Sequence, residues 1–175
     1  VRGGDVTLAG VSSVNKLRPS LIASYVDTGA TGNGGDVNLT IENGSLLMSN
    51  GAQISASTYG KGNAGNVNVR TESGSVALSG DSYIFSNIEA GGDGKGGIIN
   101  ITAKSLSLSS GGQLQTIVRQ ADIQNRRPTG KGNAGNVNVT VRGGDVTLDG
   151  VSSVNKLRPS LIASYVDTGA TGNGG

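Results

Sequence analysis

Residues 1–35 and 141–175 carry the same sequence, VRGGDVTLAGVSSVNKLRPSLIASYVDTGATGNGG, except that Ala9 becomes Asp149. A chain in which Val141 restarts the sequence that begins at Val1 is read first as a repeat architecture. A finer period lies inside the long one. Glycine-rich corners followed by alternating apolar runs open at Gly32 (GNGGDVNLTI), Gly62 (GNAGNVNVRT), Gly94 (GKGGIINITA) and Gly132 (GNAGNVNVTV), and another corner opens at Gly172. The distance from one corner to the next grows along the chain, and the stretch from Gly32 to Gly172 makes up one full long period. A fixed unit with loop insertions accounts for the variation.

Each unit holds three strand-like runs with apolar residues at every second position. The first contains Val37, Leu39 and Ile41, matched by Val67 and Val69, by Ile99 and Ile101, and by Val137, Val139 and Val141. The second contains Leu46 and Met48, matched by Val76 and Leu78, Leu106 and Leu108, Val146 and Leu148, and by Val6 and Leu8. The third contains Ile54, then Ile84 and Ile88, Leu114 and Val118, Ile162 and Val166. A small residue at mid-run (Ser24, Ala56, Ser86, Thr116, Ser164) is expected to point inward, where a larger side chain would not fit.

Three short strands per unit at constant phase predict an all-β chain folded as a parallel β-helix, or β-solenoid, with about 30–40 residues per coil. The chain divides into a partial coil 1–31, coils 32–61, 62–93, 94–131 and 132–171, and the start of another at 172–175. Strand spacing of ~4.8 Å gives four coils a rise of about 19 Å. Asn38, Asn68, Asn100 and Asn138 would then form one outward row, able to join as an amide ladder. An antiparallel meander is the competing fold, because Asn43-Gly44 and Asn50-Gly51 are hairpin signals. The other units put Ser73-Gly74, Lys104-Ser105 and Gly143-Gly144 near the first of these corners, so coil phase is kept and hairpin chemistry is not.

Composition removes several functions. Glycine fills 31 positions and apolar residues only 34%, but their alternation argues against disorder. Cysteine and histidine are absent, which excludes disulfides, thiolate chemistry and histidine catalysis. No stretch approaches the ~18 apolar residues of a membrane span. A net charge of +2 and five scattered aromatic residues give no footing for nucleic acid.

Two insertions interrupt the coils. Val151 to Pro159, repeated at Val11 to Pro19, lies between second and third runs, and Arg119 to Pro128 follows a third run. Both are polar and basic and close on Arg-Pro, so they are expected to project from the rod as loops. Arg119, Arg126, Arg127, Lys156 and Arg158 are the candidate contact residues, suited to anionic polysaccharide or to acidic patches of a neighbouring rod.

The units GNAGNVNV, then G-S-V-x-L or G-D-V-T-L, then AQISAS, resemble the repeats of large cyanobacterial filamentous-haemagglutinin-like exoproteins of two-partner secretion. The resemblance covers the chain apart from the two loops. It implies a right-handed parallel β-helix, export across the outer membrane, and a role at the cell surface as adhesin or extracellular fibre. It carries over no catalytic residue.

Other motifs receive plainer readings. Gly60 to Gly65 and Gly130 to Gly135 match G-x-G-x-x-G, but strands follow them where a dinucleotide site needs a helix. Their glycines are expected to supply positive φ at coil corners. Gly91-Gly92-Asp93-Gly94-Lys95 is close to a calcium nonapeptide, yet Gly96 stands where the required Asp should be. Calcium through Asp93 and Glu89, or at Asp27 and Asp167, is the weaker reading beside solvated turns, and no cofactor is expected. Asp36 and Asp145 alternate with Asn66 and Ser75 between coils, which suits a corner better than catalysis, so no enzyme is expected. Thr40, Thr102 and Thr140 share a phase that Arg70 interrupts, against an ice-binding array. The expected function is a structural segment of a long extracellular fibre at the cell surface, stacked on further copies of the repeat, continuous or head-to-tail. Its rods associate side by side or with polysaccharide. The alternative is an adhesin module that binds glycans or surfaces through loops 119–128 and 151–159.

Overall fold

The computed structural model describes residues 1–10 and 19–175. The first copy of the Arg-Pro loop, residues 11–18, lies outside them. No helix occurs among the described residues, and all pairings between strands are parallel. The chain is a parallel β-solenoid of three sheets. The first sheet stacks Val37–Ile41, Val67–Thr71, Ile99–Ala103 and Val137–Val141. The second stacks Val6–Ala9, Leu46–Ser49, Ser75–Leu78, Ser105–Ser109 and Val146–Asp149. The third stacks Leu21–Ala23, Gln53–Ser55, Tyr83–Phe85, Gln113–Val118 and Leu161–Val166.

The register repeats the spacing of the corners. Val37 pairs with Val67, Val67 with Ile99 and Ile99 with Val137. The loops are accommodated without a slip. Leu106 pairs with Val146 in the second sheet, and Gln113 pairs with Leu161 in the third. More chain separates the second pair than the first, and the surplus is taken up by the loop closed by the Val151 to Pro159 bridge. A one-residue slip would turn every apolar side chain outward, so phase has to be kept across each insertion.

The alternating residues of all three sheets meet in one core. Ile41, Leu46, Ile54, Val67, Val76, Ile84, Ile99, Leu108 and Leu114 have no exposed surface. Each such side chain contributes roughly 1.5–3 kcal/mol by leaving water. A second, smaller cluster joins Ile88, Val118 and Ala134 near the end of the third sheet. Ala56, Ser86 and Thr116 are fully buried, as expected for the inward mid-run position. The hydroxyls at this position add a role that size alone does not reveal. Gly35, Gly97 and Gly175 donate their N–H groups to Ser24, Ser86 and Ser164 Oγ at 3.1, 3.0 and 2.7 Å. Ser86 Oγ in turn donates to the Gly65 carbonyl at 2.7 Å. The third strand therefore braces the corner that opens the next coil.

The corner glycines are needed for two reasons. Gly62 and Gly132 hold φ of +139° and +122°, in the region that favours glycine. Gly65, Gly97 and Gly135 have no positive φ; a Cβ on each would run into the carbonyl of the glycine one coil earlier, Gly35, Gly65 and Gly97 respectively. Positive φ thus explains only part of the G-x-G-x-x-G pattern, and close backbone approach explains the rest.

Side chains tie the coils together outside the sheets. Asn68, Asn100 and Asn138 donate their amide N–H to Asn38, Asn68 and Asn100 Oδ1 at 2.8, 2.7 and 2.8 Å, the expected ladder. At the corners, Asn33, Asn63 and Asn133 Oδ1 accept the backbone N–H of Asn63, Lys95 and Asn173. Asp36 and Asn66 Oδ1 accept from the N–H of Asn66 and Ile98. Thr40, Arg70, Thr102 and Thr140 do form one row, with Arg70 breaking it.

Gly97→Ala should destabilise the fold, because its Cβ meets backbone and the buried Ser86 hydroxyl, neither of which can retreat. A loss of about 2 kcal/mol or more is expected from overpacking. Gly3→Ala, at a glycine with open space around it, should change stability by less than ~0.5 kcal/mol. Urea denaturation of both variants, followed by circular dichroism, measures the contrast.

Candidate functional site

The third sheet differs from the other two on its outer face. Its inward positions are apolar or small, its outward positions carry Tyr83, Phe85 and Tyr165, and Tyr25 and Tyr59 follow its first two strands, so all five aromatic residues of the protein gather at this sheet. Tyr83 stacks between Gln53 and Gln113, and Phe85 between Ser55 and Gln115, as register partners in successive coils. One position beyond the paired row Val26, Thr58, Ile88, Val118 and Val166, the residues Asp27, Tyr59, Glu89, Arg119 and Asp167 follow one another up the rod, each joined by its backbone N–H to the coil before except Asp27.

The two loops wall this face. Their tips project into solvent as expected, with Ile123, Val154 and Leu157 almost fully exposed, and their bases are tied to other coils by polar groups there. Ser152, which is fully buried, donates to Asp81 Oδ2 at 2.6 Å and accepts the N–H groups of Val154 and Asn155. Gln113 Nε2 donates to the Pro159 carbonyl at 2.8 Å, and Arg158 donates to the Tyr83 hydroxyl at 3.1 Å. On the other side, Asp122 and Arg127 close a tight turn, with Asn125 donating to both Asp122 oxygens. Those bonds hold the exposed Asp122 carboxyl below its usual range. The Pro128 carbonyl accepts the Gly91 N–H, and the Arg127 guanidinium lies 5.4 Å from the centre of the Tyr59 ring. Tyr25 meets the same ring edge-on at 6.0 Å.

Between the walls lies a groove of about 500 Å³. Gln53, Gln113, Gln115 and Phe85 form part of its floor, with Arg158 and Arg119 at its margins. A hollow of about 610 Å³ adjoins it across Tyr59 and is lined by Lys61, Arg126, Arg127, Thr28 and Thr31, with no carboxylate among its lining residues.

The sequence candidates divide accordingly. Arg158 and Arg119 reach the groove, and Arg126 and Arg127 reach the hollow. Lys156 is exposed on its loop and lines neither. Arg119 is already occupied, since its guanidinium lies 3.7 Å from Glu89 and 3.9 Å from Asp167. Glu89 also accepts from the Asn87 amide at 2.9 Å. Asp93 belongs to another column, between Lys61 and Lys131 of the coils on either side. No group of three or more acidic side chains converges among the described residues. The sequence alone did not single out the aromatic and glutamine columns. Their signal was present, because Tyr83 and Phe85 flank Ile84 and Gln113 and Gln115 flank Leu114, which makes them outward by alternation.

Burial pushes the Tyr59 phenol up to about 12, with the Glu89 carboxylate acting in the same sense and Arg127 against it. Burial also raises Tyr165, helped by Asp167. Comparison with known protein families, curated proteins and solved structures finds no match.

Tyr59 should ionise near pH 12 in the folded protein, against ~10 for an unfolded phenol. Between those values the unfolded chain loses the proton first, so stability should fall as pH rises from 10 and level off above 12. Phenolate absorbance measured against pH, with and without Tyr59→Phe, checks the assignment.

Proposed function

We propose that this solenoid is a length of structural fibre, extracellular and at the cell surface, built by stacking coil on coil, and that it is not an enzyme. The observation that carries this reading is one sequence in two settings. Leu8 is 8% exposed where Leu46–Ser49 covers it, and its equivalent Leu148 is 45% exposed where none of the described residues covers it. Val146 is similarly 48% exposed, whereas Val76 at the same place in a covered coil has no exposed surface. The face at 141–175 thus repeats the surface that seats coil 32–61 near the start of the chain. A coil of that sequence fits it, burying the open valine and leucine and extending the sheets. Within the chain, the first copy of the repeated sequence runs directly into that coil, which favours a continuous array of long repeats over separate stacked subunits. The exoprotein resemblance of the repeat units supports the surface location and the family. Glu89 held by Arg119 and Asn87 suits a structural carboxylate better than a catalytic one.

Chains carrying one, two and three further long repeats should lengthen by about 19 Å per repeat at constant width, since four coils rise by four strand spacings. Small-angle scattering measures length and cross-section separately. Repeats that behave as beads on a string, widening or hinging with each addition, would refute the stacked fibre.

A further inference from the structure

The groove on the third sheet holds polar groups that the fold leaves unused. Gln115 is only 5% exposed, points outward from the sheet and lines the groove, yet its side-chain amide has no hydrogen-bond partner among the described residues. Its amide opens onto the groove and not onto another side chain, so a groove occupant can pair with it in place of water. An amide both donates and accepts, as a sugar hydroxyl does. Beside it, Phe85 and Tyr83 offer apolar ring surface of the kind that receives the C–H face of a sugar ring.

Shape and charge narrow the ligand. Gln53, Tyr83, Gln113 and Leu161 are register partners in successive coils, so the floor runs along the stacking axis for about 14 Å, three strand spacings. A linear polymer can lie on it. Arg158, Arg126, Arg127 and Lys61 form no ion pair among the described residues, and the hollow that three of them line holds no carboxylate. Guanidinium forks of this kind match carboxylate or sulfate groups. Glu89, the one carboxylate among the described residues that line the groove, is neutralised by Arg119.

We propose that the groove between the two loops, continued across Tyr59 into the basic hollow, binds an acidic polysaccharide lying along the solenoid axis. A single-stranded nucleic acid fits less well. The aromatic rings stand side by side in a sheet, and Tyr59 already has Arg127 over its ring and Tyr25 at its edge, so few faces remain for base stacking. The binding residues named all line the groove and hollow of the described coils, and their binding does not rest on the fibre, so the two proposals fail separately.

The test uses the full chain, titrated by calorimetry with oligomers of polygalacturonate, with neutral amylose and oligothymidylate for comparison. Polygalacturonate should bind, more weakly as salt is raised, and should perturb tyrosine fluorescence, since all four tyrosines gather at this sheet. Gln115→Leu and Arg158→Gln should each weaken binding by about tenfold, the loss of one hydrogen bond to a charged or buried group. Lys156→Gln should leave it unchanged. Circular dichroism of each variant checks that the solenoid is intact. Should Gln115→Leu fail to fold, the fluorescence response of the unaltered protein still decides. No binding and no fluorescence response to polygalacturonate, equal binding of amylose, tighter binding of oligothymidylate, or full affinity in a folded Gln115→Leu would each overturn the proposal.

Discussion

Everything in this molecule depends on how close one coil comes to the next. Backbone ladders on three sheets hold successive coils at the spacing of paired strands. At the corners the chain turns without a sheet to separate it from its neighbour, and there the backbones approach until no β-carbon fits. Gly65, Gly97 and Gly135 mark this most clearly, each lying over the carbonyl of the glycine below. Glycine abundance, which in another chain would signal disorder, here permits contact. Where the backbones touch, coil phase is transmitted, and where phase is kept, every valine, isoleucine and leucine of the pattern arrives in the core.

The architecture was legible because it rests on that phase. Alternation identified the inward faces, the glycine corners identified the boundaries, and the uneven spacing of those corners reappears as the pairing register. The asparagine row was legible for the same reason. Less legible were features that depend on what a side chain meets off its own coil. The serine at mid-run looked like a small space-filler, but Ser86 also binds Gly97 and Gly65, partners 11 and 21 residues distant. The anchorage of the loops was hidden likewise. Nothing in Val151 to Pro159 states that Ser152 will find Asp81, 71 residues earlier, and anchor the loop base there.

The groove is a product of both levels. Phase lines up tyrosine, phenylalanine and glutamine on the outer face of the third sheet, a face that a plain solenoid would leave flat. The insertions then supply walls, because each loop bonds to coils already in place. A flat repetitive surface becomes a shaped one through two short segments that do not disturb the core. This is a general route by which a repeat fold acquires a local site: function rides on the insertion, and the stack absorbs it.

The asparagine bonds between coils run one way. In the amide ladder and at the asparagine corners, the later coil donates N–H and the earlier coil's side-chain oxygen accepts. The aligned amides add head to tail, as peptide dipoles do in a helix. The rod is therefore a vector, with side-chain acceptor oxygens such as Asn133 Oδ1 facing the later coil and N–H donors facing the earlier one. Growth from the amino-terminal side meets prepared acceptors at every step, so each finished coil is a template for the one that folds next.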